Sequence, residues 1–207
     1  MKRAAILISG RGSNMGALIG AAREPSYPAA IALVLSNRPD AAGLARARAD
    51  GIATAVVDHT AFGKDREAFE RALDTSLERH RIDLVCLAGF MRLLTPWFVR
   101  RWEGRLINIH PALLPQFKGL HTHERALAAG AKVHGATVHF VVPEMDAGPI
   151  ILQASLPVLA TDDANSLAAR VLALEHRIYP LALARVARGE VTIDHPGQGG
   201  APVAPTG

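Results

Sequence analysis

Ala4-Ala5-Ile6-Leu7-Ile8-Ser9-Gly10-Arg11-Gly12-Ser13-Asn14 is the stretch that decides the fold. Five apolar residues run into a serine and two glycines, and Asn14–Ala22 then has the texture of a helix. An apolar strand that enters a tight loop and opens a helix is the first part of a parallel βαβ unit. Met1-Lys2-Arg3 mimics the start of a secretory leader. The apolar run after it is too short and breaks at Ser9-Gly10-Arg11-Gly12, so it reads as a first strand.

Outward from there, strands and helices alternate. Ile31–Leu35 reads as a strand, Ala41–Asp50 as a helix, Thr54–Val57 as a strand, Arg66–His80 as a helix and Asp83–Leu87 as an apolar strand closed by Gly89. Leu106–Ile109 is a further strand. The pattern predicts an α/β fold with a mostly parallel, doubly wound, Rossmann-like sheet. Past Gly130 the texture changes. His134–Val142 alternates and Ile150–Val158 is extended, which predicts an antiparallel hairpin. A long helix is expected from Ala164, with Leu167, Val171, Leu174 and Ile178 at helical spacing, Thr161 or Asp162 as its cap, and Pro180 kinking it or ending its first half. One domain is expected over 1–195. A disordered tail rich in Pro and Gly is expected over 196–207.

Bulk numbers exclude several classes. The chain has 207 residues and is 49% hydrophobic, enough for a sizeable core. Net charge is +4 and the pI about 9.7, but the basic residues are scattered and aromatics are only 5%. A nucleic-acid binder would cluster them; a scattered excess suits attraction of small anions. No stretch is long and apolar enough to span a membrane. A lone Cys86 in an apolar run reads as a buried thiol, and a chain without a disulfide framework fits the cytoplasm.

The Gly-rich loop suits an anion, because glycines let the backbone approach closely and the helix start offers free N–H groups. A dinucleotide site would need its third glycine earlier than Gly16 and an acid where Ser36-Asn37 stands. A nucleoside-triphosphate loop would need Gly-Lys-Ser/Thr. A single phosphate of a small substrate remains, with a plain tight turn as the alternative. A second constellation is Asn108-Ile109-His110-Pro111 with Asp146-Ala147-Gly148-Pro149. An amide donor, an imidazole and a carboxylate suit the polarisation of a carbonyl. His121-Thr122-His123, with His110 and His139, hints at a metal, but the spacing is not that of a metal site. Loop and cap roles are expected there, with no metal.

With these residues on view, the chain resembles the phosphoribosylglycinamide formyltransferase family. The resemblance runs from Ile6 to about Pro180. It rests on Ile-Ser-Gly-Arg-Gly-Ser-Asn at 8–14, Leu-Ala-Gly-Phe-Met-Arg-Leu-Leu at 87–94, Ile-Asn-Ile-His-Pro-Ala-Leu-Leu-Pro at 107–115, Gly-Leu-His-Thr-His at 119–123, His-Gly-Ala-Thr-Val-His-Phe-Val at 134–141, Asp-Ala-Gly-Pro-Ile at 146–150 and Glu-His at 175–176. The Asn-x-His-Pro and Asp-x-Gly pieces belong to folate-dependent formyl transfer generally; the first loop is the part particular to this family.

The resemblance implies the formyltransferase fold, 10-formyltetrahydrofolate as formyl donor without a metal, and 5'-phosphoribosylglycinamide as acceptor. It implies Asn108, His110 and Asp146 as catalytic residues. Gly12, Ser13 and Asn14 would hold the substrate phosphate, and Glu175 would meet its glycinamide or ribose. Arg66, Met91, Arg92, Leu93, Leu94, Asn108 and the loop Val142, Pro143, Glu144, Met145 and Asp146 would contact the folate, with His121 nearby. Arg11 replaces the Asn or Thr of some relatives and adds charge beside the phosphate. Small molecules would be the only partners, acting on a monomer or homodimer. Two folate relatives and one other class compete. A tRNA formyltransferase should add a basic C-terminal extension, a formyltetrahydrofolate hydrolase an N-terminal regulatory segment. A nucleotide-binding module would leave Asn108, His110 and Asp146 without purpose.

Overall fold

The apolar runs found in the sequence pair edge to edge in a computed structural model, which describes residues 1–197. Its elements, in chain order, are β1 (Lys2–Ile8), α1 (Ser13–Ala22), β2 (Ala29–Ser36), α2 (Ala42–Ala49), β3 (Thr54–Val56), α3 (Arg66–Arg79), β4 (Leu84–Leu87), α4 (Pro96–Arg101), β5 (Leu106–His110), α5 (Thr122–Ala128), β6 (Val133–Phe140), β7 (Ile150–Pro157) and α6 (Ala164–Arg188). The strand order is β3-β2-β1-β4-β5-β6-β7. The fold is α/β, mostly parallel, with an antiparallel C-terminal pair. Among the described residues no helix is long and apolar enough to cross a membrane.

The chain divides into two compact units between Ile107 and Asn108. In the first, β1 pairs in parallel with β2 and β4, and β2 with β3. The strands are apolar throughout because helices must cover them. Ile6, Leu7, Leu33, Leu35, Val85 and Cys86 are fully buried, as are Leu18 of α1 and Leu73 and Leu77 of α3. The register sets Ile8 beside Ser36 and Leu7 beside Leu87. The next residues, Ser9, Asn37 and Gly89, therefore leave the sheet side by side at its carboxyl edge, where open α/β sheets bind ligands.

In the second unit β6 and β7 form the expected antiparallel hairpin, with a register shift between Val138 and His139. The alternation read in β6 does not mark a wet face: after Val133 every residue is buried. Helix α6 packs on both strands, and its Leu167, Val171, Ile178 and Leu183 are buried. Pro180 does not end α6, which runs on to Arg188. A proline removes one helical hydrogen bond, and the buried Tyr179, Ala182 and Leu183 around it offset that cost. The cap is Asp163 rather than Thr161 or Asp162. Its carboxylate accepts the Ser166 N–H (2.7 Å) while the Ser166 hydroxyl accepts the Asp163 N–H (2.9 Å), a reciprocal capping box. Asp162 instead accepts from Leu159 N–H (2.8 Å) and Arg170. Helices α4 and α5 were not expected; six and seven residues are too few to display a helical period. The tail expected over 196–207 lies, from residue 198 on, outside the described residues.

Candidate active site

Backbone alone builds the first part. Gly12 is the residue before α1 and adopts the left-handed conformation, φ 66° and ψ 48°, and no side chain caps the helix. The first turn of a helix has N–H groups without helical acceptors, and a left-handed residue before it turns them toward one point. Helix α2 supports the loop from behind: Gly43 N–H donates to the Gly10 carbonyl (3.0 Å). A Cβ on Gly43 would meet the Ile8 side chain, so only glycine lets α2 approach this closely. Gly16, one position late for a dinucleotide signature, lies against the exposed Arg46 guanidinium, which a Cβ there would displace.

A cavity of about 270 Å³ in the same unit is lined by Ser9, Gly10, Asn37, Arg38, His59, Gly89, Met91 and Arg92. The Ser9 hydroxyl donates to Asn37 Oδ1 (2.6 Å) and accepts the Met91 N–H (2.8 Å). It thereby ties the exit of β1 to the segment after β4. Asn37, Arg38 and His59 were not expected from sequence. Met91 and Leu93 are 69% and 63% exposed, so they are not core. Arg92 lies over the Phe69 ring (6.0 Å), and Arg66 is exposed at the start of α3.

The second unit brings the catalytic candidates together. Pro111 cannot continue the strand pairing, and β5 ends at His110, one residue beyond the Ile109 expected from sequence. His110 Nε2–H donates to the Phe117 carbonyl (2.9 Å), and its Nδ1 lies 3.5 Å from Asp146 Oδ2. Both ring nitrogens thus face oxygens that can only accept, an arrangement that suits the doubly protonated ring. Asp146 is presented by the turn between β6 and β7. Its φ is 49°, in the left-handed region that a short polar side chain tolerates, and its Oδ2 accepts the Gly119 N–H (2.8 Å). Gly148 two residues on packs against the Phe140 carbonyl, where any side chain would collide.

The fourth member is His139, which sequence reasoning considered only as a metal ligand. It is 2% exposed. Burial pushes its pKa down, against the Phe140 carbonyl and Asp146, which favour the charged form. The ring is therefore neutral. Nδ1–H donates to the Phe140 carbonyl (2.8 Å), which leaves Nε2 as an acceptor for Asn108 Nδ2–H at a long 3.4 Å. That bond fixes the amide orientation of Asn108 and leaves its second N–H without a protein partner among the described residues. Asp146 Oδ1 lies 3.7 Å from the same Nε2. The register shift beside His139 is the kind of irregularity that re-aims a side chain at a site. A buried polar residue late in an apolar strand was the only signal in the sequence.

The other candidates disperse. Glu175 is buried on α6, unlike most helical glutamates. Val142 is half-buried, and Pro143, Glu144 and Met145 are exposed on the turn before Asp146. His121 stands exposed before α5 with φ 56°. His123 Nδ1 lies 3.2 Å from His134 Nε2. Burial pushes both rings down, His134 to about 4 with repulsion from His123 and His110 adding to it.

A family model described as Formyl transferase matches residues 2–183. Phosphoribosylglycinamide formyltransferase of Escherichia coli (strain K12) is 48% identical over 186 residues, 90% of this chain and 87% of that protein. The trifunctional purine biosynthetic protein adenosine-3 of Bos taurus is 50% identical over 196 residues, 95% of this chain. The chain spans only 19% of the length of that relative. The crystal structure of phosphoribosylglycinamide formyltransferase from Brucella melitensis superposes with a TM-score of 0.86 at 54% identity, covering 90% of this chain and 95% of that one.

Proposed function

The chain belongs to the formyl transferase family, among its phosphoribosylglycinamide formyltransferases, and from that premise we propose that it transfers the formyl group of 10-formyltetrahydrofolate to the amine of 5'-phosphoribosylglycinamide. The products are formylglycinamide ribonucleotide and tetrahydrofolate, in de novo purine biosynthesis. The lone buried Cys86 fits a cytoplasmic setting. The observation that carries the reading is the group of Asn108, His110, His139 and Asp146, with one amide N–H left over and an imidazole whose two nitrogens both face oxygen acceptors.

The amine nitrogen attacks the formyl carbon, and the carbonyl π pair moves to oxygen. Asn108 donates its spare N–H to that oxyanion. His110 stabilises it chiefly by charge, since its Nε2–H is directed at Phe117. One preorganised donor of this kind is worth about 3 kcal/mol, on the order of 10²-fold in rate. The oxyanion then collapses, the bond from carbon to folate N10 breaks, and the amine's proton reaches N10. Asp146 carries that proton directly or through water, and its carboxylate lies 3.5 Å from His110 Nδ1. The open start of α1 at Gly12, Ser13 and Asn14 takes the substrate phosphate, and Glu175 meets its glycinamide or ribose. Arg66, Met91–Leu94 and Val142–Asp146 contact the folate.

The test is turnover of 10-formyltetrahydrofolate, read by the absorbance of the deformylated folate, with and without the ribonucleotide. Turnover that requires the ribonucleotide is the expected result. Comparable turnover with no amine acceptor makes the protein a hydrolase and overturns the reading.

A further inference from the structure

The segment from Met91 to Leu94 is pinned at both ends by buried side chains that the proposed chemistry does not use. At its start the Ser9 hydroxyl accepts the Met91 N–H. At its end, Glu70 of α3 accepts the Thr95 N–H at 2.7 Å through Oε1 and the Thr95 hydroxyl through Oε2. Glu70 is 1% exposed, and a carboxylate this buried inside a helix is rare unless it has such work. Thr95 stands immediately before α4 and has no side-chain cap of its own. The neighbours of Glu70 reach the same stretch: Phe69 lies under Arg92, and Arg71 lies over Trp97 at 4.4 Å. Three successive residues of α3 thus face residues 92–97, while the apolar Met91 and Leu93 between the pins stay exposed.

We propose that Glu70 is a positioning residue for the formyl donor: it fixes the Thr95 end of the 91–94 segment so that Met91 and Leu93 form a ready surface for the folate. This rests on the assignment of 91–94 to folate contact made above. Pinning lets the segment be ordered before the ligand arrives, so that binding does not carry the cost of ordering it. Burial pushes the Glu70 pKa up, opposed chiefly by the two Thr95 bonds.

Kinetics of three variants of the full chain test it. Loss of a buried acceptor commonly costs on the order of tenfold in an equilibrium constant. Glu70→Ala should therefore raise KM for 10-formyltetrahydrofolate about tenfold, and the Kd of a non-reactive folate analogue in titration calorimetry by a similar factor. Both kcat and KM for the ribonucleotide should stay within about twofold. Glu70→Gln keeps an oxygen for the Thr95 N–H and should recover most of the loss. Thr95→Val removes the hydroxyl alone and should raise the folate KM roughly threefold. A purely structural Glu70 would instead lower Tm and the active fraction while both KM values held; that result overturns the proposal. If Glu70→Ala does not fold, an unchanged folate KM in Thr95→Val overturns it. Arg92→Ala separates the two levels. An unchanged folate KM there removes the folate assignment and the proposal with it. A raised KM there, with Glu70→Ala unchanged, removes the positioning role alone.

Discussion

The loop after β1 and the group around the end of β5 both stand at strand exits, yet they are built of different material. The first uses backbone: a left-handed Gly12 and an uncapped helix start, with no side chain needed to make it. The second uses side chains: Asn108, His110, His139 and Asp146, each oriented by another residue or by a carbonyl. The start of α6 is built the other way, because Asp163 and Ser166 satisfy it reciprocally. A helix start preceded by a left-handed glycine offers backbone N–H groups to an anion, which is the role proposed for it above. A polar cluster in which every member is held by a neighbour is a device that fails as a unit.

The sharpest way to break this contrast is to cut the side-chain group. His110→Ala and Asp146→Asn should each lower kcat by at least about 10²-fold in a folded protein. The double variant should lose less than the product, because the two act together. Near-normal turnover in either single variant defeats the mechanism. The next effect belongs to the backbone site. Gly12→Val forces a β-branched residue into a left-handed conformation and against the Met15 thioether. It should raise the ribonucleotide KM roughly thirtyfold, while the Kd of a folate analogue in calorimetry holds. An equal loss for both ligands takes the phosphate away from this loop.

Acid should then separate the regions more gently. His134 titrates near 4 when folded against an ordinary 6.5. On acidification the unfolded chain takes up its proton first, so stability is lost as pH falls from about 6.5 toward about 4. Tm followed over that range should fall less steeply in His134→Phe than in the wild type; parallel curves refute this origin. The smallest effect is expected from Ser13→Ala, which leaves every backbone N–H in place. A rise in ribonucleotide KM of more than about threefold would show that the hydroxyl, not the backbone, carries the anion.

The first loop was legible because everything that makes it is contiguous: strand, glycines and helix start follow one another in the chain. The roles of its glycines were less so. Gly16 counted against a dinucleotide signature, and the side chain it lies against, Arg46, is thirty residues on. In the second region Asn108, His110 and Asp146 could be picked out by residue type beside Pro and Gly. His139 could not be given its role, because that depends on which carbonyl its Nδ1 faces and on a shift in strand register. Glu70 gave no signal at all; one glutamate on a charged helix looks like any other.

By itself the sequence determined the alternation of strands and helices and the antiparallel ending, and it singled out the glycine loop and Asn108, His110 and Asp146 as candidates. Each of these is written in local period, local turn chemistry or a contiguous motif. The tertiary structure decided that Pro180 leaves α6 unbroken and that Asp163 is its cap. It also decided that Met91 and Leu93 face outward, that Glu70 pins Thr95, and that His139 is neutral and orients Asn108. These are matters of burial and of hydrogen bonds between residues far apart in the chain, and an energy that depends on which partner is near cannot be read from a residue's neighbours in sequence.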